Sequence, residues 1–272
     1  MRAQRNPGSW DLDKVPLEDV DRAAMQSRRD LFYLVNAASF VEIAADLYTH
    51  NLISYFGNDA EISGWLEGQW QHEEIRHGRV LRDYVRHVWP DFDWDRAYAG
   101  FFADYSQQCT VEAFESTAGL ELVARCVVET GTSTYYESLA AQADEPVLRG
   151  IALRIRADEI NHYKHFYRYF RRYQQHEKQG RLAVLQSIAR RVAEARNGDA
   201  DCALRHVHAA EDPHADPDAC TKLYAQFAAN LRHDYPLDMA IKMILKPLDF
   251  PAALNRAIRL PLVWAGKRWL LN

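Results

Sequence analysis

The chain has 272 residues, enough to bury a sizeable core as one large domain or two small ones. It carries 33 Lys and Arg against 38 Asp and Glu, and a net charge of -5 gives no reason to expect nucleic-acid binding. The N-terminus lacks the apolar stretch of a signal peptide, and no run reaches the roughly 20 apolar residues of a membrane span, so we expect a soluble, cytoplasmic protein without a transmembrane segment.

The residue pattern predicts an all-helical chain. Alternation typical of strands is scarce, and 12 glycines and 10 prolines punctuate long stretches rich in Ala, Leu, Arg and Glu. Helical pattern starts at Pro16, breaks once near residues 27–30 and runs to about Phe56. A short helix is expected over 94–105. Four long helices are predicted at 30–56, 59–88, 117–143 and 146–175.

The C-terminal third continues the helical pattern. Two amphipathic stretches, 179–196 and 217–234, are separated by a polar loop, and a basic tail, 235–272, contains Trp264 and Trp269. This tail could contact an acidic carrier protein or a membrane surface, or it could pack across the other helices with its Lys and Arg in water; the second interpretation is favoured. No linker forces a second domain, so we expect a single domain over 1–272, with its main bundle at about 28–175 and an extension at 176–272.

A Glu-x-x-His motif occurs twice, and an isolated glutamate lies 32 residues before the first motif and 30 before the second. Residues at i and i+3 share one helix face, so each motif presents a carboxylate and an imidazole in the same direction. The six side chains are sufficient for two metal ions with two bridging carboxylates. The candidate ligands are Glu42, Glu74, His77, Glu129, Glu159 and His162.

The surroundings of these residues favour a metal site over a solvated helix face. Glu42 and Glu129 lie in apolar segments, where an unpaired carboxylate is costly. Carboxylates with one imidazole per metal suit iron or manganese. The charged residues one turn away, Asp46 and Arg125, are expected to pair with each other or to face water, with the second favoured.

A second layer of carboxylates is also present. Glu73 and Asp158 each directly precede a candidate ligand. Histidine ligands usually donate their second N–H to a carboxylate. We expect Asp158 to support His77 and Glu73 to support His162, each across the bundle.

With these residues in view, the chain resembles the ferritin-like di-iron carboxylate proteins, and most closely in motif the soluble acyl-carrier-protein desaturases. Residues 70–78 are similar to their Trp-x-x-Glu-Glu-x-Arg-His-Gly segment, and residues 157–162 to their Ala-Asp-Glu-x-x-His segment, with Asn161 where arginine is usual. Thr132 matches a threonine near the oxygen-binding face of that family. The resemblance covers roughly 28–175. It implies a ferritin-like four-helix bundle, oxygen activation and an apolar channel for an acyl or similar substrate.

The resulting hypothesis is an O2-dependent non-haem di-iron oxidase that desaturates or hydroxylates an acyl or similarly apolar substrate, with Thr132 in a catalytic role. Two Fe ions are expected, with Mn as an alternative at either position. The four cysteines form no Cys-x-x-Cys pair, so electrons are expected from an external donor such as a ferredoxin. An acyl carrier protein is a candidate partner, and a homodimer is compatible with the sequence. A di-iron N-oxygenase or hydroxylase of a small or carrier-bound substrate, and a ferroxidase or iron-handling protein, stay open as alternatives.

Overall fold

The computed structural model describes residues 10–109, 114–194, 198–212 and 217–271, and the described chain is helical without strands. The all-α prediction is confirmed. The helices are α1 (Arg22–Gln26), α2 (Arg29–Ile43), α3 (Ala45–Tyr55), α4 (Ala60–Trp65), α5 (Gln71–Val88), α6 (Trp94–Tyr105), α7 (Ala118–Gln142), α8 (Pro146–Glu177), α9 (Arg181–Glu194), α10 (Asp199–Glu211), α11 (Pro217–His233), α12 (Leu237–Leu245) and α13 (Ala252–Leu271). A π-helical turn, Leu66–Trp70, joins α4 to α5, and 3-10 turns cover Leu12–Lys14, Leu17–Asp19 and Lys246–Leu248.

Side chains that accept hydrogen bonds from free backbone amides mark the starts of the long helices. Asp59 accepts from the amide of the third residue after it, and Thr117 does the same at the start of α7. Glu145 accepts from two amides of α8, where Pro146 occupies the first turn and needs no amide partner. These are the starts that the sequence predicts.

Two predicted boundaries are wrong near the N-terminus. The first α-helix begins at Arg22, because Pro16 precedes only a short 3-10 turn. The predicted helix 30–56 is two helices, because Ala44, with ψ near 4°, leaves the helical conformation between α2 and α3. Neither glycine nor proline marks this bend, so the residue pattern does not reveal it.

The predicted polar loop between the two C-terminal stretches is also wrong over most of its length. Residues of α10 form a helix that packs on α2 and α6 and buries Cys202, Ala203, Leu204 and Val207. Histidines and charged residues alternate with these apolar side chains, so the sequence of this segment is polar on average and predicts a loop. His214 and the side chains of Cys220 and Trp269 lie outside the described part of the structure.

Helix pairs build the core. α7 packs antiparallel along α8, α2 packs along α5, and α5 contacts α8 where the two pairs meet. Gly78 permits the close approach of α5 to α2, because a Cβ at this position would lie 2.4 Å from the side chain and 2.5 Å from the backbone nitrogen of Ile43. The separation of α2 from α5 therefore depends on the absence of a side chain one residue after His77.

The C-terminal helices cover one side of the helix pairs. α9 and α12 pack on α7, and α13 packs on α11 and α12. The tail therefore packs across the other helices, which agrees with the favoured interpretation, but one face of α13 stays exposed.

One stretch, Arg29–Tyr55, is long and apolar enough by composition to cross a membrane. It comprises α2 and α3, and 72% of its most apolar window is buried inside the protein. Buried core helices of soluble proteins share this composition. The burial of this stretch is therefore compatible with a soluble protein.

Gly78→Ala is expected to lower the free energy of unfolding by about 1–3 kcal/mol, because the added methyl group overpacks the contact between α2 and α5. Helix propensity alone would favour alanine by about 1 kcal/mol. The matched control is Gly150→Ala on α8, where a Cβ meets no atom within 4 Å and where we expect a small gain. Chemical denaturation measures both, and equal gains for the two variants would contradict the close approach.

Candidate metal centre

The structure brings all six candidate ligands together in the interior. The lone glutamates come from α2 and α7, and the two Glu-x-x-His motifs come from α5 and α8. Each of the six side chains is buried, and none belongs to a surface loop. Four helices therefore contribute to one cluster, and residues 117 positions apart in the chain become neighbours, as Glu42 and Glu159 do.

The six residues form two overlapping groups. In each group one oxygen or nitrogen atom from every residue lies within 4.8 Å of the others. Glu74 and Glu159 belong to both groups, and each group adds one further glutamate and one histidine. Each group could hold a metal ion, and Glu74 and Glu159 are the carboxylates common to both. The first group adds Glu42 and His77, and the second adds Glu129 and His162.

His77 is oriented by carboxylates on both ring nitrogens. Its Nδ1 faces the cluster, 3.1 Å from Glu159 Oε1 and 3.7 Å from Glu42 Oε2. Its Nε2 lies 3.0 Å from Asp158 Oδ2. When Nε2–H donates to this carboxylate, Nδ1 presents its lone pair to the cluster, which is the state that binds a metal.

His162 repeats this arrangement in the other half of the cluster. Its Nδ1 lies 2.9 Å from Glu74 Oε1 and 3.7 Å from Glu129 Oε2. Its Nε2 lies 2.8 Å from Glu73 Oε2, and the Gln69 amide lies 3.4 Å from the other oxygen of that carboxylate. The structure thus shows both contacts expected for Glu73 and Asp158, each across the bundle.

Trp10 is a residue that sequence reasoning missed. Its indole N–H donates to Asp158 Oδ2 at 3.0 Å, and its ring stacks on His77 with an interplanar angle of 9°. Arg76 also donates to Asp158 at 3.1 Å and lies over the Trp10 ring. A single tryptophan in a polar N-terminal segment gives no sequence signal for this role, because the contact spans 148 residues.

Two hydroxyl groups on α7 contact the cluster. Thr132 is half-buried, and its hydroxyl donates to Glu159 Oε2 at 2.7 Å. Tyr136 is fully buried, and its hydroxyl donates to Glu42 Oε1. Thr132 was a sequence candidate and Tyr136 was not. Tyr136 follows Glu129 by seven residues, or about two turns of helix, and this spacing is the signal that could have identified it.

The buried charges shift the pKa values of the cluster in opposite directions. Burial raises the pKa of Glu129 to about 8, because desolvation and the charge of Glu159 outweigh the attraction of the nearby His162. Burial and the same neighbour raise the pKa of Glu74 well above its usual range. Although burial opposes it, the proximity of both histidines holds the pKa of Glu159 well below its usual range. In the metal-free cluster, protons are therefore shared among closely spaced groups.

Several inward-facing atoms of the cluster lie close to other cluster atoms but make no hydrogen bond of regular geometry. Buried polar atoms in proteins are normally satisfied, so a concentration of exceptions calls for a bound group. One atom from each of five of the six candidate ligands is of this kind: Glu42 Oε2, Glu74 Oε1, His77 Nδ1, Glu159 Oε1 and His162 Nδ1. Carboxylate oxygens and imidazole nitrogens converging in this way fit metal ions, so the residues could hold a metal.

The helix that carries the first motif is distorted just before it. The π-helical turn Leu66–Trp70 ends three residues before Glu73. Such turns occur mostly as short insertions at functional sites, where the extra residue rotates the following side chains. Trp65 directly precedes this turn and Trp70 is its last residue, and each ring makes an edge contact with His162 at 6.3 Å between centroids. Trp70 thus packs against a candidate ligand.

The expectation for Arg125 is wrong. Its Nε lies 2.8 Å from Glu121 Oε1, and both side chains are buried. Arg125 therefore neither faces water nor pairs with Asp46, because Glu121 lies one turn before it on the same helix and α9 covers this part of α7. Asp46 is half-exposed.

No protein-family model and no curated protein matches the chain. The assignment of metal ligands therefore rests on the chemistry and the positions of the side chains, and it stays a prediction.

Asp158→Asn is expected to weaken metal binding at the position that includes His77 by about 10- to 100-fold, because the neutral amide no longer fixes the imidazole as the carboxylate does. Titration of the metal-free protein with Co²⁺, followed by absorbance, measures the affinity. The control is Asp83→Asn on α5, whose half-exposed carboxylate pairs with Arg82. An unchanged affinity in Asp158→Asn would show that this carboxylate does not support a ligand.

The metal-free protein is expected to lose stability as the pH rises from about 4.5 to about 8, in part through Glu129. Within this window the folded protein holds the Glu129 proton that the unfolded chain has released, so stability falls by up to about 1.4 kcal/mol per pH unit. In Glu129→Gln the side chain is a neutral amide that does not titrate in this window, so this loss of stability is absent. Denaturation across the window should therefore show wild type losing stability relative to Glu129→Gln, and a constant difference would contradict the raised pKa.

Proposed function

We propose that the protein is an O2-dependent di-iron oxidase that acts on an acyl or similarly apolar substrate and is built on a ferritin-like four-helix bundle. One observation carries the proposal: two overlapping groups of buried ligands share Glu74 and Glu159 and present unsatisfied atoms to one another.

Charge is the first support. Four glutamates lie in an interior where an isolated carboxylate costs several kcal/mol or more. Two protonated histidines would offset at most half of that charge, and neutral histidines, the form that binds a metal, would offset none. Two divalent ions would balance the four carboxylates and would remove the need for shared protons in the cluster.

The donor atoms are the second support, and they favour iron or manganese. Each position would be held by carboxylates and one imidazole, without a thiolate. Cys126 lies one turn before Glu129, but burial raises the pKa of its thiol well above the usual range. It also belongs to neither group of candidate ligands.

The helix arrangement is the third support. In ferritin-like di-metal proteins, two helices each contribute one glutamate and the other two each contribute a Glu-x-x-His motif. Here α2 and α7 provide the single glutamates, and α5 and α8 provide the motifs. α7 pairs with α8, and α2 pairs with α5. Each pair therefore contains one helix with a single glutamate and one helix with a Glu-x-x-His motif.

When bound, two iron ions would supply the redox chemistry that couples the reduction of dioxygen to the oxidation of a C–H bond of the substrate. The protein side chains would hold the metal ions, orient the metal ligands and keep a proton close to them. Asp158 and Glu73 fix the imidazoles, and Tyr136 fixes Glu42 through its hydroxyl. Thr132 holds a proton on a hydroxyl that already donates to Glu159 and, being half-buried, lies at the edge of the cluster. We assign Thr132 as the residue that orients Glu159 through this hydrogen bond at the edge of the cluster.

The proposal requires an external electron donor such as a ferredoxin. Cys109, Cys126 and Cys202 are free thiols among the described residues, and the sequence contains no Cys-x-x-Cys pair. An acyl carrier protein is the proposed means of presenting a fatty-acyl substrate.

Anaerobic addition of Fe²⁺ to metal-free protein is expected to give about two bound ions per chain. Glu74→Gln and Glu159→Gln should weaken binding of both ions, because each carboxylate belongs to both groups. Glu42→Gln and Glu129→Gln should weaken only one. The matched control is Glu67→Gln, which changes an exposed glutamate seven residues before Glu74.

Metal analysis after gel filtration measures the stoichiometry, and an oxygen electrode measures consumption of O2 by the loaded, reduced protein. A protein that retains no iron would refute the metal site. A protein that retains two ions but consumes no O2 with a reductant and acyl substrates present would refute the oxidase while leaving the metal site intact.

A further inference from the structure

Large apolar side chains are exposed mainly on two C-terminal helices. Among the described residues, eight such side chains are exposed, of which three lie on α9 and four on α13. The exception, Leu153, lies on α8. A group of exposed apolar residues on neighbouring elements indicates an interaction surface, whereas single ones are ordinary.

α13 is apolar on two opposite faces. One face, which points toward the protein, contains the half-buried residues Ile258, Val263 and Gly266. Gly266 packs against the side chain of Leu237. On the opposite face Leu260 is 61% exposed and Trp264, one turn later, is 67% exposed. Ala253 and Ala257 precede these two by seven residues each and extend the same stripe.

Basic residues flank this exposed stripe on both sides. At 100° per residue, Arg256 and Lys267 lie on one side of Leu260 and Trp264, and Arg268 lies on the other. None of these three has an ion pair among the described residues, whereas Arg259, toward the packed face, pairs with Asp238. The helix contains no acidic residue. Its outer face is therefore both apolar and positively charged.

We propose that the exposed face of α13 binds the surface of an anionic lipid bilayer. Trp264 and Leu260 would enter the boundary between headgroups and acyl chains, and the flanking Arg and Lys would contact lipid phosphates. A tryptophan and leucine stripe with basic flanks is the pattern of helices that lie in a membrane interface. Because its other face packs on α11 and α12, the helix lies on the bilayer and does not span it.

Arg181, at the start of α9, fixes this helix to the segment that leads into α13. It donates to the backbone oxygens of Leu248 and Asp249 at 3.0 and 2.9 Å. Leu182, the next residue, is 68% exposed, so a further large apolar side chain is exposed close to that segment.

Charge argues against the other occupants of this face. Two copies of the chain meeting through α13 would bring like charges together without an acidic residue on either helix to offset them. An acidic protein would satisfy the arginines and lysines. It would not explain a tryptophan at the centre of the stripe as well as a fluid apolar interface does.

The test is sedimentation of the full-length protein with vesicles of phosphatidylcholine and phosphatidylserine, and with vesicles of phosphatidylcholine alone. We expect binding to the mixed vesicles that weakens as salt is added, and little binding to the neutral ones. Lys267→Glu with Arg268→Glu should weaken binding by about tenfold or more, since each basic residue near such a surface contributes about fivefold. The control, Arg22→Glu with Arg149→Glu, makes the same change in net charge at exposed positions on α1 and α8.

Leu260→Ser with Trp264→Ser separates insertion from simple charge attraction, with Leu153→Ser as its control. Circular dichroism confirms that each variant is folded. The proposal is overturned if the wild type does not sediment with anionic vesicles, or if the α13 variants bind as well as their controls. It is also overturned if the serine variants lower the molecular mass by light scattering, since α13 would then be an interface between copies. None of these outcomes depends on the metal site, because metal-free and iron-loaded protein should bind vesicles equally.

Discussion

The structure depends on the burial of four carboxylates and two imidazoles between four helices. Such a cluster is unfavourable unless every charge has a partner, and the surroundings supply many of those partners. Asp158 and Glu73 bind the outer nitrogens of His77 and His162, and Tyr136 binds Glu42. The atoms left unsatisfied all face one another. The outer side of the cluster is thus satisfied by the protein, and the inner side presents atoms that could hold a metal ion.

Helix packing must be close for this arrangement to form. Glu42 on α2 can approach His77 on α5 only because the next residue, Gly78, has no side chain. The π-helical turn before Glu73 also interrupts the regular α-helical hydrogen bonding just upstream. Both features reduce the intrinsic stability of helix α5, and both are located at the cluster. Close packing at the cluster therefore goes together with departures from regular helix geometry in α5 and in the turn before it.

The C-terminal helices combine a structural role with an exposed surface. α9 and α12 pack on α7, and on the same helix the buried Arg125 pairs with Glu121. α13 uses one face for packing and leaves Leu260 and Trp264 in contact with solvent. An oxidase of apolar substrates would gain access to them from a membrane surface. The two proposals are compatible, although each rests on different residues.

The sequence by itself determined the helices that carry the site and the six residues that meet in it, because a Glu-x-x-His spacing places two side chains on one face whatever the tertiary context. Glu73 and Asp158 followed from the same spacing. Only the tertiary structure revealed Trp10 and identified Glu74 and Glu159 as the shared carboxylates. It also revealed the bend at Ala44 and the helical nature of α10. These features depend on contacts between distant segments, such as the 148 residues between Trp10 and Asp158, and no local pattern encodes which segments will meet.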